Sequence, residues 1–255
     1  MILLALECSA VSASVALMDD SRLLAESFVN VRLTHSQTLM PMVESLLRCA
    51  CMTLEQVDGF AVANGPGSFT GVRIGVAAVK GMAQALNRPC VGVSTLEAMA
   101  WQTADMLSGA SDVGEEVLLC PVMDARCSQV YNALFAFACG EGAASLQEPA
   151  APARRCADRA MSIEELAQEL KILKVCPYLV GDGAALCYNE LKRSGIDCLP
   201  SPERMRYQRA VGVALAARAR FLAGAVQTAD ELQPTYLRLP QAERDLKKRN
   251  WKKEA

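Results

Sequence analysis

The 255-residue chain carries 26 Lys and Arg against 28 Asp and Glu, a formal net charge of −2, and is 52% hydrophobic. That composition predicts one sizeable core or two lobes sharing one, excludes a disordered chain, and gives no global basicity that would advertise nucleic acid. No run approaches the roughly 20 apolar residues of a membrane helix, and MILLALECSA, with no basic residue ahead of it, reads as a buried strand rather than a leader, so a cytoplasmic protein is expected. The 11 cysteines form no C-x-x-C pair, which fits reduced thiols better than disulfides or zinc.

Residues 2–6, 14–18 and 23–28 are short apolar or alternating segments, which predicts three strands in a meander. A helix is expected from His35 to Cys51, where Leu39, Val43, Leu46, Leu47 and Ala50 recur at helical spacing and Met40 and Met42 widen the apolar surface. Pro41 is expected in or near its first turn, since deeper it would kink the axis. Residues 59–63 read as a fourth strand, NGPGSFTGVRIGVAAVKG (64–81) leads a second helix, and residues 90–94 form a fifth strand. Ser94 and Glu97 predict a capping box for a helix through Trp101.

The order then recurs in pattern, without sequence identity. Strands are expected at 117–123, 129–137 and near 145–147, then a helix capped by Ser162 and Glu165 to about Leu173, a strand at 178–180 and a helix at 184–193. Residues 140–160, rich in Ala, Gly and Pro, read as a surface excursion, and the Ala-rich helix 210–223 is expected to pack back on the first lobe. The fold expected is α/β with duplicated βββαβα units, the two-lobed architecture of actin, Hsp70 and sugar kinases (the ASKHA fold). Its parts are an N-terminal lobe (1–104) joined by a returning helix (208–226), a C-terminal lobe (105–207) and a tail (241–255). With six basic and three acidic residues the tail carries +3, and is expected to be solvated.

In that architecture ATP sits between the lobes on glycine-bearing turns. Here LECSAVSAS has Glu7 where Asp would be expected and no glycine, and MDARCSQVY follows Asp124 with Ala125 and Arg126. Only GDGAA (181–185) keeps an adenosine or helix-start turn. Side chains at the other two turns obstruct the backbone access a phosphate needs, so a free-standing ATP-dependent kinase or ATPase stands as the alternative reading. The single histidine, His35, cannot form an H-x-x-x-H pair, so neither a catalytic residue nor a metal site with two imidazoles is predicted. GPGSFTG also lacks the Gly-Lys-Ser/Thr of a P-loop. Gly67, Gly71 and Gly75 lie four apart, on one face of a helix. Each interior glycine costs up to about 1 kcal/mol against alanine, so the stripe implies close approach by another element, within the lobe or from another chain.

NGPGSFTGVRIGVAAVKGMA, with LALECSAVSASVAL, DARCSQVY, GDGA and QPTYLRLP, resembles the TsaB (formerly YeaZ) family over nearly the whole chain, to about Pro240. Those proteins are subunits of the bacterial machinery for tRNA N6-threonylcarbamoyladenosine (t6A), and paralogues of the metal-bearing transferase subunit TsaD. The resemblance implies a non-catalytic dimerisation and activating subunit with a TsaD-like catalytic subunit and a TsaE-like ATPase as partners, tRNA reached through the complex, and a homodimer open to it when alone. It implies no cofactor of its own, with ATP or ADP at most at the complex interface. It also implies that two helices of the first lobe form the partner surface: Leu39, Val43, Leu46 and Leu47 on one, and Gly67, Gly71, Arg73, Ile74, Gly75 and Ala78 on the other, the glycines admitting a partner's helix. Glu7 and Cys8 depart from the Asp and Thr common at the family's start. A peptidase label carried by the family is opposed by the missing metal ligands.

Overall fold

In a computed structural model the chain is described over residues 1–108, 116–138 and 151–238. The strand expected near 145–147 and the tail 241–255 lie outside the described residues. The meander is β1 (Ile2–Glu7), β2 (Ala13–Asp19) and β3 (Arg22–Val29), followed by α1 (His35–Cys49), β4 (Gly59–Gly65), α2 (Phe69–Leu86), β5 (Cys90–Ser94) and α3 (Thr95–Leu107). The sheet runs β3-β2-β1-β4-β5. β1 lies antiparallel to β2, with Leu4 opposite Leu17, and parallel to β4, with Leu4 opposite Phe60.

β1 is a continuous apolar run because both faces of its sheet are covered. Leu4 and Leu6 pack with Leu39, Val43, Leu46 and Leu47 of α1 and Val72, Val76 and Val79 of α2, each buried side chain contributing about 1.5–3 kcal/mol of transfer free energy. The opposite face presents Ala5, Ala16, Ala61 and Ala63 to α3 and to α7 (Ala210–Leu222), whose Ala214, Ala216 and Ala217 are equally small. α7 thus packs on the first lobe as expected. Pro41 is a correction: it is the seventh residue of α1, not in the first turn. The carbonyl it leaves without a donor belongs to Gln37, which is exposed, so water can serve it.

The second sheet repeats the arrangement with β6 (Glu116–Asp124), β7 (Gln129–Asn132), β8 (Phe135–Ala138), β9 (Ala153–Arg154), β10 (Arg159–Ser162), α4 (Ile163–Leu173), β11 (Tyr178–Val180), α5 (Ala184–Arg193), β12 (Leu199–Pro200) and α6 (Glu203–Arg206), which precedes α7. Its order is β10-β7-β6-β11-β12, with β8 also on β6 and β9 on β8. A central strand with an antiparallel neighbour on one side and a parallel one on the other recurs from the first lobe, so the fold is the expected duplicated α/β architecture. The expected strand 129–137 is broken, because the middle of β6 holds Pro121, which has no N–H to give. β8 pairs with Glu116–Leu119 and β7 with Val122–Asp124. At the break the buried Asn132 side chain donates to the carbonyls of Pro121 and Ala133 at 3.0 and 3.1 Å. The surface excursion is corrected in its second half, where β9 and β10 join the sheet. Ser162 and Glu165 form the full capping box. Ser94 caps α3 only one way, accepting from the Glu97 N–H, while the Glu97 carboxylate turns to Arg154 and Arg220.

Candidate functional site: the interlobe cleft and the outer face of α2

Between the lobes lies a cavity of about 520 Å³. One wall is the β1–β2 turn with Ser9, Ala10 and Val11, and the segment from Gly67 to Thr70 that leads into α2. The other is the end of β6 with Asp124 to Arg126, plus Tyr131 and Asp182, and Tyr236 and Arg238 also line it. The three turns picked out in the sequence therefore converge. GDGAA serves as the start of α5: the Gly183 N–H donates to the Val122 carbonyl at 3.1 Å, which draws the turn onto β6.

Glu7 stands behind this wall with no solvent exposure. One carboxylate oxygen accepts the Ser9 N–H at 2.6 Å and the other has no hydrogen-bond partner among the described residues. Burial pushes its carboxyl up to about 7, against the Ser9 hydrogen bonds and helped by the nearby Asp182 charge. Burial likewise raises Asp182 to about 6, opposed by the Gln208 side-chain amide, which donates to it at 2.7 Å. A carboxyl near neutrality is what general acid–base chemistry uses, but a cleft-bound molecule cannot touch Glu7. His35 starts α1, and its Nε2 lies 2.7 Å from the Ala10 carbonyl, tying the helix to the β1–β2 turn. Among the described residues no group of three or more His, Cys, Asp or Glu is placed to hold a metal ion, and no helix is long and apolar enough to cross a membrane.

The glycine stripe faces inward. A Cβ on Gly71 would overlap the Cys8 carbonyl oxygen, one on Gly67 the Ser9 carbonyl, and one on Gly75 would lie 2.7 Å from Cys8 Sγ. The close neighbour is thus the β1–β2 turn of the same lobe. The expected partner-surface residues divide accordingly. Leu39, Val43, Leu46 and Leu47 are 1–7% exposed in the core, and Gly71 and Gly75 are buried with them, so as partner contacts these six are corrected. Gly67 is half-buried against Ser9 and precedes α2, whose N-cap is Ser68, so the expectation that it shares a helical face with Gly71 and Gly75 is corrected. Arg73 is exposed, Ile74 and Ala78 are half-buried, and together with exposed Ala77 and Gly81 they make the outer face of α2. Residues 233–238 carry roles the sequence reading did not assign. Tyr236 stacks on Phe69 with ring centroids 4.7 Å apart and accepts from Arg73 Nε at 2.7 Å, and Arg238 reaches the second lobe. An exposed aromatic and an arginine in a segment without helical or strand periodicity were the available signal.

A family model described as TsaD, tRNA N6-adenosine threonylcarbamoyltransferase, matches residues 30–246. The TsaB protein of tRNA threonylcarbamoyladenosine biosynthesis from Bacillus subtilis is 36% identical over 137 residues, 54% of this chain and 56% of the relative. Its counterpart from Escherichia coli is 37% identical over 129 residues, 51% and 52% of the two chains. The chain thus spans about half the length of the curated relatives it matches. The solved structure of YeaZ from Pseudomonas aeruginosa superposes with a TM-score of 0.73 at 27% identity, covering 92% of this chain and 99% of that one. The chain belongs to the TsaD family of tRNA N6-adenosine threonylcarbamoyltransferases and stands there with the TsaB (YeaZ) proteins of t6A biosynthesis.

Proposed function

We propose that the chain is a non-catalytic, activating subunit of the t6A machinery, which binds a TsaD-like catalytic subunit through the outer faces of α1 and α2. The observation that carries this reading is the histidine count: the one imidazole in the sequence is His35, and it is spent on the Ala10 carbonyl. A transfer that depends on an H-x-x-x-H metal pair must then draw that pair from another chain. The outer face of α2 supports a docking role, since Ala77, Ala78 and Gly81 are small enough for a second helix to approach, and Met40 of α1 is 44% exposed. A TsaE-like ATPase is the third component, tRNA is met through the assembly, ATP or ADP sits at most at its interface, and the chain pairs with a second copy when alone, in the cytoplasm. The test is reconstitution: tRNA modification should require this chain together with its TsaD-like partner, and this chain alone should give none.

The cleft itself favours one other reading, a free-standing ATPase or kinase. Against it stand the side chains of Ser9, Val11 and Arg126 where a phosphate would need bare backbone. ATP turnover by the purified chain decides between the two.

A further inference from the structure

We propose that residues 233–238 form a latch across the open end of the interlobe cleft, closed by the Arg238 guanidinium on the Ala125 carbonyl and able to release without unfolding either lobe. The segment is anchored on the first lobe at several points. Leu232 just before it is fully buried in that lobe's core. The Thr235 N–H donates to the Asn64 carbonyl at 2.7 Å, the Asn64 side chain donates to the Gln233 carbonyl at 3.0 Å, and Tyr236 is held by Phe69 and Arg73. Its attachment to the second lobe is of a different kind. Among the described residues it makes one hydrogen bond there, from Arg238 to the Ala125 carbonyl at 2.7 Å.

The far side of the cleft is fastened much more heavily. Leu96, Met99, Ala100 and Ala104 of α3 share a core with Leu119, Phe135 and Phe137 of the second lobe, and Glu97 of α3 pairs with Arg154 of β9. One edge is therefore a fixed hinge, and among the described residues the mouth is held by one charge-assisted bond to a backbone carbonyl, which thermal motion breaks far more readily than a buried core. The receiving turn is itself delicately held. Arg126, Cys127 and Ser128 have φ of 63°, 56° and 56°, values that side chains disfavour. Its amides are tied by three local bonds: Ala125 to the Gln129 carbonyl, Gln129 to the Arg126 carbonyl, and Arg126 to the Asp124 carboxylate.

Those three amides report the latch. In hydrogen exchange of the full chain, Arg238→Ala should accelerate exchange at Ala125, Arg126 and Gln129 by about fivefold, the factor expected for one lost hydrogen bond. Exchange at Thr235 and Ser68, bonded within the first lobe, should stay within a factor of two. Arg238→Lys, which keeps a donor in reach of the carbonyl, should restore at least half of the lost protection. Unchanged exchange in the turn of the Ala variant would overturn the proposal. So would equal acceleration at Thr235 and Ser68, which would show general loosening rather than a latch, and so would a Lys variant no better than Ala. The readout uses this chain alone, so it stands or falls independently of the partner-subunit reading.

Discussion

Replacing Gly71 and Gly81 separately with alanine asks two glycines of the same helix opposite questions. At Gly81 nothing lies within 4 Å of the new methyl group, so the substitution should return the helix propensity that glycine forfeits, up to about 1 kcal/mol. At Gly71 the methyl would overlap the Cys8 carbonyl oxygen, with the His35 ring 3.2 Å away. A backbone carbonyl at the end of a central strand has little freedom to retreat. Overpacking of this kind costs typically about 1–3 kcal/mol, and the carbonyl places Gly71 at the upper end. After the propensity gain is subtracted, a net loss of about 2 kcal/mol remains. At about 2–4 °C per kcal/mol for a chain of this size, Gly71→Ala should melt about 4–8 °C below the wild type and Gly81→Ala about 2–4 °C above it, measured by circular dichroism on the isolated chain. A Gly71→Ala protein as stable as the wild type that had lost its partner would refute the inward assignment of the stripe and return the glycines to an interface.

Three further outcomes follow from the same geometry. Glu7→Gln removes a carboxyl whose value is raised from 4.5 to about 7 in the folded chain. A raised acid favours folding while protonated and loses that contribution as pH climbs from about 4.5 to 7, so across this window denaturant titrations should show the wild type losing about 3 kcal/mol relative to Glu7→Gln; parallel curves would refute the burial argument. Ser162→Ala breaks the capping box of α4 and should cost about 1 kcal/mol by urea denaturation. Ala77→Glu, on the exposed outer face of α2, should leave stability within about 0.5 kcal/mol while weakening association with a TsaD-like partner in calorimetry, whereas Leu46→Asp should unfold the lobe, since Leu46 is 4% exposed.

The sequence made the periodic elements legible. Residues 90–94, 178–180 and 184–193 are elements with those limits in the structure, because apolar spacing, flanking Gly or Pro and a cap all point the same way there. Pairing across distance was not legible. Nothing near Gln129 announces that Pro121 would interrupt the ladder opposite, and the short strands β9 and β10 lie in an Ala- and Pro-rich stretch with no alternation of their own, held by the sheet they join. The glycine stripe shows the same limit at the site. Spacing establishes that one face of α2 must meet something closely, but only tertiary placement identifies it as Cys8. The outward face, with its alanines, carries no periodic signal distinct from ordinary helix surface. The cleft was legible in its turns and not in the segment that closes it, since the contacts of Tyr236 and Arg238 span more than 100 residues of chain.

The most direct test of the central claim is single-turnover modification of adenosine in a tRNA transcript, with this chain, a TsaD-like subunit and a TsaE-like ATPase added alone and in combination, along with ATP and a preformed, activated threonylcarbamoyl donor. The account predicts no modified adenosine from this chain alone, little from the TsaD-like subunit without it, and full modification when they are combined. Threonylcarbamoyl adenosine formed by this chain alone, or full activity of the other two components in its absence, would contradict the assignment of this chain as the non-catalytic subunit the transferase requires.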